Sequence, residues 1–239
     1  MRMMHVLGAA VLALGLNGAS VAQPQRAPAA AAKRWVDVVV RTPEGGYRQG
    51  NPNAPVKLVE YGSRTCPSCG RFAAEGMAPL RAEFIASGKV SYEYRDFLIH
   101  GAPDLALALV NQCVPAGRFF PVLDAIYAGQ SGFAERLDTF LKKSPQVAEG
   151  YQKLPPPQMA TRFAEVMGVI PFMKAHGLGE AQARKCLNNP ALVQGIAKTH
   201  ADGANLHDVQ GTPGFFVNGR AVRAFTWDRL QPELRAAGA

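Results

Sequence analysis

Two cysteines separated by two residues, Cys66-Pro67-Ser68-Cys69, are the side chains of this sequence best suited to do chemistry. Thiols at that spacing close a small, reducible ring, and a thiolate is the nucleophile that opens or makes such a ring by disulfide exchange. The flanking residues say where the pair sits. Val56, Leu58, Val59 and Tyr61 read as a short buried strand, Gly62-Ser63-Arg64-Thr65 as a turn, and Arg71-Phe72-Ala73-Ala74-Glu75 as the start of a helix. Cys66 therefore falls at a helix N-terminus, where unpaired N–H groups and the helix dipole favour an anion. Pro67 suits the first helical turn, where its missing N–H costs nothing. A CxxC is also half of a zinc site, but that site needs a second pair or nearby histidines. Cys113 and Cys186 stand alone, so a four-thiolate site using all four cysteines stays open as an alternative. His100, His176, His200 and His207 lack ligand spacing and are expected at the surface or in loops, so no metal is expected. No His follows Cys69, which excludes covalent haem attachment.

The elements that must position this pair come from a chain of 239 residues with 48% hydrophobic and 18% charged content, a folded globular composition. The formal charge is +8, from scattered basic residues without a basic, aromatic-laced stripe, so no nucleic-acid partner is expected. Residues 1–22 read as an export signal: Arg2, an apolar run from Val6 to Leu16 short for a membrane span, then Ser20-Val21-Ala22 as a cleavage site. Export would place the cysteines in an oxidising compartment. Residues 23–33 read as a linker. Residues 35–41 are a strand candidate, 42–55 are dense in Gly, Pro and Asn and read as loop, and 89–94 are a second central strand. Pro79 is expected to bend the helix that follows the CxxC.

From Pro103 the pattern becomes helical, with candidates at 105–113, 119–127, 137–142, 160–173, 180–187 and within 190–205, and Pro155-Pro156-Pro157 as a break. Strand character returns at 214–217. Asn218-Gly219 is a two-residue hairpin turn, 220–223 the returning strand, and 227–236 a last helix with Thr226 at its N-cap. The order is an α/β one in which the first and last pieces share a sheet. That gives a split domain, 34–102 with 206–239, and an all-helical insert, 103–205. Cys113 and Cys186 lie on helical stretches of that insert. In an exported chain two unpaired thiols would scramble with an active dithiol, so a structural disulfide is expected, with two buried free cysteines as the alternative.

Gln210-Gly211-Thr212-Pro213 precedes the hairpin strand. A strand-entry proline is ordinary alone, but beside a CxxC a cis Thr212–Pro213 bond would turn the Thr212 main chain toward Cys66 as a docking edge for an extended chain. With Asn53-Ala54-Pro55-Val56, Glu60-Tyr61, the CxxC, Tyr94-Arg95-Asp96-Phe97, Gly211-Thr212-Pro213 and Phe215-Phe216-Val217-Asn218-Gly219, the chain resembles the DsbA-like thiol:disulfide oxidoreductases of the thioredoxin superfamily. The resemblance implies a thioredoxin fold, a central mixed sheet flanked by helices, with an inserted helical domain. It implies Cys66 and Cys69 as catalytic residues and Pro67, Ser68, Thr212 and Pro213 as substrate-binding ones. It also implies a buried acid, Glu60, that assists proton transfer at Cys69. Physically, a carboxyl buried in an apolar strand has a raised pKa.

Together with the export signal, the resemblance implies a periplasmic monomer that needs no cofactor beyond its own dithiol. It would oxidise client protein thiols and be reoxidised by a DsbB-type membrane partner. A reductase or isomerase is the alternative, and a non-catalytic metal- or peptide-binding module a more distant one. Strongly oxidising members of the family carry His where this chain has Ser68. A potential between about −120 mV for DsbA and about −270 mV for thioredoxin is therefore expected.

Overall fold

The computed structural model describes residues 34–239; the signal and linker assigned to 1–33 lie outside them. Among the described residues six strands form one sheet in the order β1-β2-β4-β3-β5-β6. They are β1 (Val39–Arg41), β2 (Tyr47–Gly50), β3 (Val56–Gly62), β4 (Val90–Asp96), β5 (Gly214–Val217) and β6 (Arg220–Val222). The central pair β3 and β4 is parallel, Val56 opposite Val90 through Gly62 opposite Asp96, and the other pairings are antiparallel. Parallel strands need a crossover, which here is the helix α1 (Pro67–Pro79). Pro79 removes a helical N–H, and the chain passes there into a π-helical turn, Leu80–Ile85. The β5–β6 hairpin turns on Asn218 and Gly219, both at positive φ (51° and 81°), as a tight turn of matching twist requires.

Between β4 and β5 run eight helices: α2 (Ala102–Gln112), α3 (Phe119–Ala128), α4 (Gln130–Lys143), α5 (Pro145–Tyr151), α6 (Pro156–Met167), α7 (Val169–Ala175), α8 (Glu180–Leu187) and α9 (Pro190–Leu206). α10 (Trp227–Ala236) closes the chain with Thr226 at its N-cap position, though the Thr226 side chain makes no capping bond. One core packs Leu58, Phe72, Phe84, Tyr92, Phe120 and Leu230 around the sheet. A second fills the insert with Leu107, Leu109, Ile126, Phe163, Met167 and Met173. α2 is the axis of that second core, buried from Asp104 to Gln112.

The structure corrects several elements of the sequence reading. Residues 42–55 are not all loop: β2 forms there because Tyr47 to Gly50 pair with β4, a long-range pairing that overrides a turn-rich composition. Residues 35–41 hold a 3-10 turn (Trp35–Asp37) before the short β1. The helix at 137–142 is the end of the longer α4, and α5 is an additional helix beyond it. The helix at 160–173 is two, because Gly168 sits in the left-handed conformation (φ 73°) between α6 and α7. Pro155-Pro156-Pro157 starts α6, with Pro156 in the first turn.

Cys113, at the C-cap of α2, is joined by a disulfide to Cys186 in α8 across a sequence separation of 73. This removes both the free-thiol and the four-thiolate alternatives. In the chain-entropy account a crosslink of that span contributes about 4 kcal/mol. Cys113→Ala with Cys186→Ala is therefore expected to lower the melting temperature by roughly 10 °C while thiol exchange at Cys66 continues. Calorimetry beside an exchange assay checks this, and unchanged melting would refute it.

Candidate functional site

The site is built where β3 ends. Cys66 has extended backbone angles (φ −77°, ψ 120°) and forms the N-cap of α1, with Pro67 next. Pro67 is exposed and Ser68 half-buried, while Cys66 is 5% exposed and Cys69 fully buried; both thiols are free. The Thr212–Pro213 peptide is cis. The Cys66 thiol donates to the Thr212 carbonyl oxygen at 3.3 Å, which brings together residues 146 positions apart. The Thr212 side chain, unlike that carbonyl, favours the Cys66 anion.

The two thiols are driven in opposite directions. Cys66 is lowered to about 5, first by the hydrogen bond from the Cys69 thiol, then by Thr212 and the backbone N–H groups of Cys69 and Ser68, against an opposing contribution from burial. Cys69 is pushed well above the ordinary thiol value, first by burial, then by its bond to Cys66 and the negative charge of Glu60. One thiol is a ready thiolate and its neighbour a proton holder.

Glu60 shares a face of β3 with Val56 and Leu58 and is 1% exposed. Its Oε2 accepts the Tyr92 hydroxyl at 2.6 Å. Burial raises its pKa to about 8, against the lowering effect of that bond. Beside it lies a cavity of about 10 Å³ walled by Phe72, Tyr92, Leu123 and Tyr127, at the lower limit of the space that admits one water.

Sequence reasoning missed what holds the turn from below. Arg64 is fully buried and ion-paired with Asp96 at the end of β4. Its Nε and one terminal nitrogen donate to Asn111 Oδ1 on α2 at 3.0 and 2.9 Å. Asp104, also on α2, accepts from the Ser63 hydroxyl and from the Arg64 and Ile99 amides. Burial raises its pKa to about 6. Gln130 reaches the same turn from α4. Asp96 lies opposite Gly62 in the β3–β4 pairing, a register the sequence does not show. Of the histidines, His100 bonds Thr65 Oγ1 at 2.7 Å at the rim. His200 departs from the surface-or-loop expectation: it lies in α9, packed on the Phe97 ring and accepting the Leu98 amide.

A family model described as Thioredoxin matches residues 42–235. A protein named as a protein-disulfide oxidoreductase in Rickettsia conorii is 26% identical over 216 residues, covering 90% of this chain and 67% of that protein. Its counterpart in Rickettsia felis is 25% identical, covering 84% and 63%. The chain thus spans about two thirds of the length of these relatives. Among solved structures, a protein-disulfide isomerase from Novosphingobium aromaticivorans superposes with a TM-score of 0.74 at 28% identity, covering 82% of this chain and 98% of that one. Wolbachia pipientis α-DsbA1 superposes with a TM-score of 0.61 at 16% identity, over 80% and 89%, a likeness of fold alone.

The opposed environments have two measurable outcomes. Alkylation of the reduced protein is expected to label Cys66 with a midpoint near pH 5 and to leave Cys69 untouched at neutral pH; preferential labelling of Cys69 would reverse the assignment. Glu60 titrates above its ordinary 4.5, so the stability it contributes is present below that value and lost as pH rises through about 8. Glu60→Gln is expected to gain on the wild type across that window in denaturant titrations, and to slow exchange at Cys69. A constant difference in stability would show that burial does not raise the Glu60 pKa.

Proposed function

The chain belongs to the thioredoxin family, as one of its DsbA-like thiol:disulfide oxidoreductases, and from that premise we propose that it is a dithiol oxidase of exported client proteins. The observation that carries this reading is the acidic Cys66 thiol, with a pKa lowered to about 5, beside a buried Cys69 raised well above normal. A stabilised thiolate stabilises the reduced form, and a disulfide whose reduced form is stabilised is an oxidant.

Exchange begins when a client thiolate attacks Cys66 Sγ of the Cys66–Cys69 disulfide, and the bond to Cys69 breaks with its electron pair. Cys69 takes a proton, for which Glu60, largely protonated at neutral pH, is the nearby source. The client's second thiolate then attacks the client sulfur of the mixed disulfide and expels Cys66 as a thiolate, the better leaving group of the two. The client leaves with a new disulfide, and the enzyme keeps two electrons for a membrane reoxidase of the DsbB type. The Thr212 main chain, beside Cys66, is the edge along which an extended client lies, with Pro67 and Ser68 at the rim. The dithiol is itself the redox group and needs no other cofactor. The chain acts as a monomer in the periplasm, to which the signal read in 1–22 would direct it.

An isomerase is the second reading, favoured by the description of the Novosphingobium structure. It uses the same Cys66 thiolate to attack wrong client disulfides and must be kept reduced.

Equilibration with glutathione buffers separates the two. A potential well above about −270 mV is expected, with rapid oxidation of a reduced dithiol peptide. A value at or below that figure, with rescue of a scrambled substrate by the reduced protein, would overturn the oxidase. The reduced form should also melt above the oxidised form at neutral pH. Because the folded Cys66 pKa lies below the unfolded one, that advantage is lost as pH falls through about 5.

A further inference from the structure

Gln130, the first residue of α4, spends its side-chain amide on the main chain of the redox turn. Its Nε2 donates to the carbonyl oxygens of Arg64 and Cys66, each at 2.9 Å. A carboxamide nitrogen carries two N–H groups, so both are committed to the three residues that end in the nucleophile. The Cys66 carbonyl also accepts the Gly70 amide at 3.1 Å and is therefore held from two sides.

Gly70 supplies an independent observation. It lies within α1 at an ordinary φ, where glycine is a poorer helix former than alanine and the backbone has no need of it. A Cβ at this position would come within 2.5 Å of Gln130 Oε1. The glycine leaves the space that the carboxamide fills.

We propose that Gln130 is a positioning residue for disulfide exchange: seated in the space at Gly70, it pins the Arg64 and Cys66 carbonyls so that the first N–H groups of α1, not these two oxygens, face the Cys66 sulfur. This rests on the reading of Cys66 as the attacking thiolate. A carbonyl free to swing toward the sulfur would set the negative end of its dipole against the anion and undo the stabilisation given by the Ser68 and Cys69 amides. Through Gln130 the helical insert acts on the redox turn by way of its main chain.

The test uses two substitutions that break the clamp from opposite sides. Gln130→Met keeps the length and the apolar packing but has no N–H, and Gly70→Ala keeps the glutamine but crowds it out. Each is expected to move the midpoint of Cys66 alkylation up by about half a unit to one unit, a threefold to tenfold loss of thiolate at acidic pH, with melting within a few degrees of wild type. Combined, they should shift it no further than either alone, because both remove one interaction. A Gln130→Met protein that titrates as wild type, or shifts that add, would overturn the proposal. A wild-type midpoint near the ordinary thiol value would instead overturn the reading beneath it, before any variant is made.

Discussion

The buried guanidinium of Arg64 is the constraint on which the rest of this structure depends. It lies two residues before Cys66, fully out of solvent, with Asp96 from β4 and Asn111 from α2 closing around it. The Tyr94 and Phe119 rings lie 5.1 and 5.8 Å from its charge centre. A charge taken so far from water is tolerable only while every partner stays in place, and loss of one partner of such a pair costs about 3 to 5 kcal/mol. The sheet, the redox turn and the first helix of the insert are thereby fastened at one point. Asp104 repeats the fastening earlier on α2, through Ser63 and the Arg64 amide.

Above that rigid base, small differences of depth are enough to separate the chemistry of neighbouring groups. Cys66 and Cys69 are the same side chain one helical turn apart, yet one meets amide N–H groups and the other an apolar interior with Glu60 beneath. Paired titratable groups pushed apart in this way divide a reaction into roles: one leaves as an anion, one carries a proton. No imidazole lies between the cysteines to help, and here the lowering comes from hydrogen bonds, that of the Cys69 thiol first.

Much of this was legible in the chain, and the boundary of legibility has a physical origin. The apolar run into the CxxC, the Asn218-Gly219 turn and α10 are local signals, and each stands where the local pattern put it. Glu60 was visible as a residue but not as a face: Val56, Leu58 and Glu60 share the buried face of β3 with Lys57 exposed opposite, but the apolar Val59 and Tyr61 on the other face mask that alternation in the sequence. β2 was hidden for the opposite reason: nothing in Tyr47-Arg48-Gln49-Gly50 asks for a strand until β4 lies beside it. Arg64, Asp104 and Gln130 were invisible because a polar residue bound for the interior looks, in sequence, like any polar residue at the surface.

The short outer strands have a consequence for solubility. A protein that meets unfolded chains meets segments ready to add to any open sheet edge, and an oxidoreductase joined that way to a client would aggregate with it. β1 and β6 are three residues each. The segment Ala116–Arg118 packs beside β1, while Arg220 and Arg223 place exposed charges at the two ends of β6. Neither rim has the length to seed cross-β growth, and in the proposed exchange strand-like pairing falls to the short edge at Thr212, where the partner would be held only as long as one sulfur–sulfur bond lasts.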